Sequence, residues 1–139
     1  MPKRSRLSAC NCFAARQAAR RITRLYERHL SDAGLTSAQF SILVLLEEKG
    51  QAPMAELAPI LGMDRTTLLR ALKPLQRARL LETRPGATDA RRLALSLSTA
   101  GQRKLKHGMR LWQNAQREFE AQVGSRRAAR LRRELLALT

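Results

Sequence analysis

The feature that most restricts this chain is a change of hydrophobic period between Met54 and Gly101. Leu57 and Leu61 recur at helical spacing up to Gly62, and Leu68, Leu72 and Leu75 repeat that spacing after Asp64. Leu93, Leu95 and Leu97 then alternate with Ala94, Ser96 and Ser98, the period of a half-buried strand. The expected order is a helix, a tight glycine turn, a second helix and a hairpin, with Leu81 to Arg84 as the partner strand of a two-stranded wing. Asp64 stands where an N-cap is needed, and Gly62 where a helix must stop.

On both sides of this segment the period is helical. From Ser8 to about Asp32, the positions Cys10, Phe13 or Ala14, Ala18, Ile22, Leu25 and Leu30 predict one long amphipathic helix with Arg16, Arg20, Arg24 and Arg28 on its other faces. Asp32-Ala-Gly34 ends it. Thr36 and Gln39 have the spacing of a capping box for a second helix, Ser37 to Glu48, which buries Phe40, Leu43, Val44 and Leu46. Pro53 suits the first turn of the helix carrying Met54, Leu57 and Leu61, while Pro59 and Pro74 fall inside helices. A bend or a lost hydrogen bond is therefore expected between Arg70 and Pro74.

Thr99 opens a fifth helix with Leu105, Met109, Trp112, Ala115, Phe119 and Val123 on one face, and Gly124-Ser125 separates it from a last helix starting near Arg126. The fold class is mainly α with a small β-wing: a winged helix-turn-helix over 35–100, flanked by an N-terminal helix over 8–34 and C-terminal helices over 101–139. The chain forms one structural unit. The central unit has its own core, so the terminal stripes need another cover. A homodimer with interlocked terminal helices supplies it and also spaces two recognition helices about 34 Å apart, one turn of DNA.

Charge narrows the partner. The 139 residues include 27 Lys and Arg against 11 Asp and Glu, a formal charge of +16 that attracts polyanions. No stretch approaches the roughly 18–20 apolar residues of a membrane span, and the basic Met1 to Leu7 lacks a signal core, so a cytoplasmic protein is expected. Cys10 and Cys12 are too few for a disulfide framework, and His29 and His107 stand alone, so neither a metal nor a cofactor is expected. Neither a phosphate loop nor a nucleophile–base motif is present, which argues against an enzyme. With three Phe, one Tyr and one Trp, stacking platforms for single strands are poorly supplied, leaving double-stranded DNA.

Within the motif, Arg65, Thr66 and Thr67 occupy the first turn of the recognition helix, within reach of phosphates or base edges. Arg70 lies one turn on and is long enough for a bidentate contact to guanine, and Lys73 and Arg77 suit phosphates. Arg91 and Arg92 flank a wing loop suited to the minor groove, with Asp89 orienting Arg91. The competing class is a non-specific architectural, nucleoid-type protein that coats DNA without reading it.

Glu56-Leu-Ala58, Leu61-Gly62, Asp64-Arg-Thr-Thr67, Arg70 and Leu75-Gln-Arg77 through Leu80-Leu81 resemble the recognition elements of the MarR family. Asp89-Ala-Arg91-Arg-Leu-Ala-Leu95-Ser-Leu97-Ser-Thr99-Ala-Gly101 is similar to its wing signature. The resemblance implies a homodimeric regulator, in the main a repressor, on a pseudo-palindromic operator. It also implies release by a small aromatic ligand held between the dimer helices and the winged unit, with Phe13, Tyr26, His29 and Trp112 as candidate liners. Cys12-Phe13, Arg20 and Tyr26 are similar in spacing to the organic-hydroperoxide-sensing (OhrR) branch, which implies a redox-active Cys12 contacted by Tyr26. Two further pocket tyrosines of that branch are replaced here by Arg16 and Ser37. Cys10 is the candidate to trap an oxidised Cys12, although two residues apart on one helix their side chains would diverge.

Overall fold

A computed structural model describes residues 5–87, 89 and 91–139. In chain order these form α1 (Asn11–Leu30), α2 (Ser37–Lys49), β1 (Ala52–Pro53), α3 (Met54–Leu61), α4 (Arg65–Arg77), β2 (Leu81–Pro85), β3 (Leu93–Leu97), α5 (Thr99–Val123) and α6 (Ser125–Leu136). The mainly helical fold with a small wing agrees with the sequence reading.

The centre is α2. Its capping box forms as expected: the Gln39 N–H donates to Thr36 Oγ1 at 3.2 Å, and the Thr36 N–H donates to Gln39 Oε1 at 3.0 Å. Beyond the cap, Ile42, Leu43 and Leu46 are fully buried and Phe40 and Leu45 nearly so. A helix apolar on all sides has to be surrounded, and Leu30 of α1, Leu57 of α3, Leu68 and Leu72 of α4, Leu95 of β3 and Leu105 of α5 complete that one core. Truncating such a leucine to alanine typically costs about 2–5 kcal/mol.

Three local expectations are corrected. The first helix does not run unbroken from Ser8: a 3-10 turn over Arg6–Ala9 ends at Cys10, whose extended backbone (φ −90°, ψ 114°) makes it the N-cap of α1. The wing has three antiparallel strands, not two, in the order β1-β3-β2, with Ala52 opposite Leu95 on one side of β3 and Leu81 opposite Leu97 on the other. A two-residue strand carries no readable period, and Pro53 is tolerated because it sits at the sheet edge. The alternation in β3 also fails at its start, where Leu93 is 66% exposed and Ala94 2% exposed. Ala94 lies between Pro53 and Arg84 in the centre of the sheet, whereas Leu93 pairs with Pro85 toward the wing tip.

Pro74 does not end α4, which continues to Arg77. Pro74 is exposed and α4 is held by Leu68, Leu72 and Leu75, so burial of that stripe outweighs one missing hydrogen bond. Among the described residues no helix is long and apolar enough to cross a membrane.

Candidate nucleic-acid interface

The turn between α3 and α4 is built by Gly62 at φ 63°, in the left-handed region, and closed by the Met63 N–H donating to the Ala58 carbonyl at 3.0 Å. Asp64 then caps α4, its Oδ1 accepting from the Thr67 N–H at 2.7 Å. That hydrogen bond holds the Asp64 carboxyl below its ordinary range, so it remains an anion on the positive end of the helix. Asp64 is thus a cap, as its position in the sequence suggested.

Because Leu68, Leu72 and Leu75 face the core, Thr66, Arg70, Lys73 and Arg77 fall on the opposite stripe, and all four are exposed, as are Arg65 and Thr67. Among the described residues, none of the basic side chains on α4 has a carboxylate within ion-pair distance. They are free to meet an external anion.

At the wing, the Asp89 carboxylate accepts from the Arg91 backbone N–H at 3.0 Å, so it shapes the loop rather than clamping the guanidinium. The Gly86 N–H donates to the Arg92 carbonyl at 2.7 Å and closes the loop base. Arg91 and Arg92 are both exposed. Thr88 and Ala90, part of the same loop in the sequence reading, lie outside the described residues. Arg84 differs in being paired with Glu82 at 2.9 Å.

One junction escaped the sequence reading. Arg79 takes a left-handed conformation (φ 56°) after α4, and the Ser98 hydroxyl donates to its carbonyl at 2.7 Å while accepting from the Gly101 N–H at 3.0 Å. The Ser98 N–H donates to the Leu80 carbonyl at 3.0 Å. A Cβ on Gly101 would stand 2.1 Å from that same carbonyl oxygen. The end of the recognition helix, the base of the wing and the start of α5 therefore meet at one point.

Within one chain the four candidate ligand liners are not gathered in one pocket. Only Trp112 lines a cleft between α5 and the winged unit: its ring stacks on Phe40 with centroids 6.3 Å apart, in a cavity of about 400 Å³ among α2, α3 and α5. Tyr26 donates its hydroxyl to Gln116 Oε1 and lines a second cleft among α1, α5 and α6, and burial raises its phenol above the ordinary range. His29 Nε2 contacts Glu118 Oε2 at 2.5 Å. Hydrogen bonds from His29 and Arg28 hold the Glu118 carboxyl low. Phe13 shares a shallow pocket with Leu7, Cys10, Cys12, Arg16 and Arg20. Tyr26 and His29 both meet α5 near Gln116 and Glu118, whereas Phe13 lies at the far end of α1.

A short α3, a glycine turn, a capped α4 with an unpaired basic face and a three-stranded wing together define a winged helix-turn-helix of the DNA-binding class. The chain belongs to the MarR family of transcriptional regulators, whose family profile matches residues 33–92. It is 37% identical to the transcriptional regulator MosR of Mycobacterium tuberculosis, solved in complex with DNA, over 93% of this chain and 92% of that one, with a TM-score of 0.80. A probable transcriptional regulator from Pseudomonas aeruginosa is 30% identical over 96% of this chain and 100% of that one, with a TM-score of 0.86. The HTH-type transcriptional repressor NicR of Pseudomonas putida is 29% identical over 86 residues, 62% of this chain and 54% of that repressor, so the match spans about half its length. These likenesses carry the chain into the family and not into any one branch of it.

Proposed function

We propose that the chain is a homodimeric, sequence-specific repressor of the cytoplasm that holds a pseudo-palindromic operator and leaves it when a signal binds. The observation that carries this reading is the exposed, unpaired stripe of Thr66, Arg70, Lys73 and Arg77 on α4 beside the wing arginines Arg91 and Arg92. Arg65, Thr66 and Thr67 meet the phosphates or base edges at the helix start, Arg70 reads a base edge, Lys73 and Arg77 hold phosphates, and the wing arginines enter the minor groove. The partner is a second copy of the chain. Leu135, Leu136 and Leu138 are 51%, 65% and 84% exposed on the last helix and its tail, beside the cleft that Ile22, Phe119 and Leu131 line. A stretch this apolar, at the end of so basic a chain, calls for cover.

A footprint tests the reading. Protection of a discrete two-fold site with half-sites about 34 Å apart is expected, and uniform protection of any duplex would replace it with the architectural reading.

For the signal, a small ligand in the Trp112 cleft is the first reading. The exposed thiols favour a second. Because Cys10 lies outside α1 as its cap, with its Sγ accepting from the Phe13 N–H at 3.4 Å, the helix does not hold the two thiols apart. In this reading, the Cys12 thiolate attacks an organic hydroperoxide, giving a sulfenic acid and the alcohol. The Cys10 thiol then condenses with it to a disulfide, releasing water. Cys12 and Tyr26 stand about 21 Å apart along α1 at the helical rise, so a contact between them has to cross between two copies. Hydroperoxide should release DNA from the wild type and not from Cys12→Ser; equal release from both removes the thiol reading.

A further inference from the structure

The cleft among α2, α3 and α5 has a charge character opposite to that of the chain. Its walls are Val44, Leu45, Leu61 and Met109 with the Phe40–Trp112 stack, and its volume of about 400 Å³ suits a small organic molecule. Two polar side chains line it, Ser41 and Glu48. The Ser41 hydroxyl already donates to the Ser37 carbonyl at 3.0 Å and is left only with acceptor capacity.

Glu48 is the ionic group of the lining, and no Lys, Arg or His is among the residues that form it. In a chain with 27 basic residues against 11 acidic ones, that is the reverse of what composition would place there. Glu48 also sits in the last turn of α2, which ends at Lys49, so the partial negative charge of the terminal carbonyls adds to that of its carboxylate. A Trp ring, a carboxylate, a helix C-terminus and a hydroxyl able only to accept all favour positive charge.

We propose that this cleft binds a small aromatic cation, its ring packed against Trp112 and its charge held at Glu48. This rests on the ligand-release reading above and names the class of ligand. An aromatic carboxylate is disfavoured there, because its charge would meet Glu48 with no basic partner. Glu48 is exposed at the mouth, so solvent screens its pair with the ligand, and the ring face of Trp112 supplies the remaining preference.

Trp112 is the single tryptophan of the chain and reports on its own cleft. The purified chain is titrated with benzyltrimethylammonium, benzyl alcohol and benzoate at one ionic strength, and Trp112 fluorescence is followed. The cation is expected to quench at a concentration about tenfold below that of benzoate. Glu48→Gln should shrink that advantage while benzyl alcohol quenches as before, which shows the cleft intact. Benzoate quenching at an equal or lower concentration, or a cation advantage undiminished in Glu48→Gln, overturns the proposal. The same preparations are assayed on duplex DNA: a chain that binds no DNA refutes the regulator reading, whereas one that binds DNA without preferring the cation refutes this inference alone.

Discussion

Arg70 and Arg77 lie on the same exposed stripe of α4, seven residues apart, yet their replacement should have different consequences. Arg70 stands in the middle of the helix, in the half proposed to enter the major groove, and Arg77 closes its last turn, where a phosphate contact is proposed. Arg70→Ala should cost about 1–3 kcal/mol at particular base pairs and flatten preference there. Arg77→Ala should weaken all sequences alike and lower the salt slope of binding by about one. Affinities on a set of single-base operator variants at two salt concentrations separate the two; equal losses on every variant for both residues would deny Arg70 its reading role. The stripe was legible in the sequence because the buried leucines at 68, 72 and 75 fix which side faces out. The ligand liners were not, since periodicity gives a residue's face but not which neighbouring helix it meets: Trp112 found Phe40, and Tyr26 found Gln116.

Among the elements, the junction of α4, the wing and α5 decides how a signal would travel. Trp112 and Met109 lie on α5, and α5 begins at the point where Ser98 binds the Arg79 carbonyl and Gly101 lies against Leu80. A shift of α5 therefore has to move the end of α4 or break this junction. Gly101→Ala tests how tightly it is packed. The added methyl would meet a backbone oxygen at 2.1 Å, which cannot rotate away, so a loss of about 1–3 kcal/mol is expected, read as a fall of several degrees in Tm. An unchanged Tm would mean that the junction gives way easily and couples nothing. Gly101 was visible in the sequence only as part of a family signature, and its reason is a close approach that no local pattern encodes. The caps at Thr36 and Asp64 were legible because each is a short-range bond within three residues. β1 was not, because its pairing with β3 spans more than forty residues.

For the whole molecule, charge and apolar surface pull in opposite directions. A net charge of +16 on each copy opposes association, while the last helix and its tail expose Leu135, Leu136 and Leu138 beside an apolar cleft that no other described residue fills. In the proposed dimer, burial of that surface has to outweigh the repulsion, and salt should help by screening it. Leu136 is 65% exposed, so Leu136→Glu leaves the fold of one chain intact and acts on association alone. Sedimentation should find the variant monomeric where the wild type is dimeric. Its operator affinity should fall by about 100-fold or more, because the second half-site is then bound as a separate event rather than as a linked one. Its affinity for a single half-site should stay near that of one wild-type recognition helix. A variant that remains dimeric would move the interface away from α6, and the spacing of the two recognition helices would have to be set by another pair of elements.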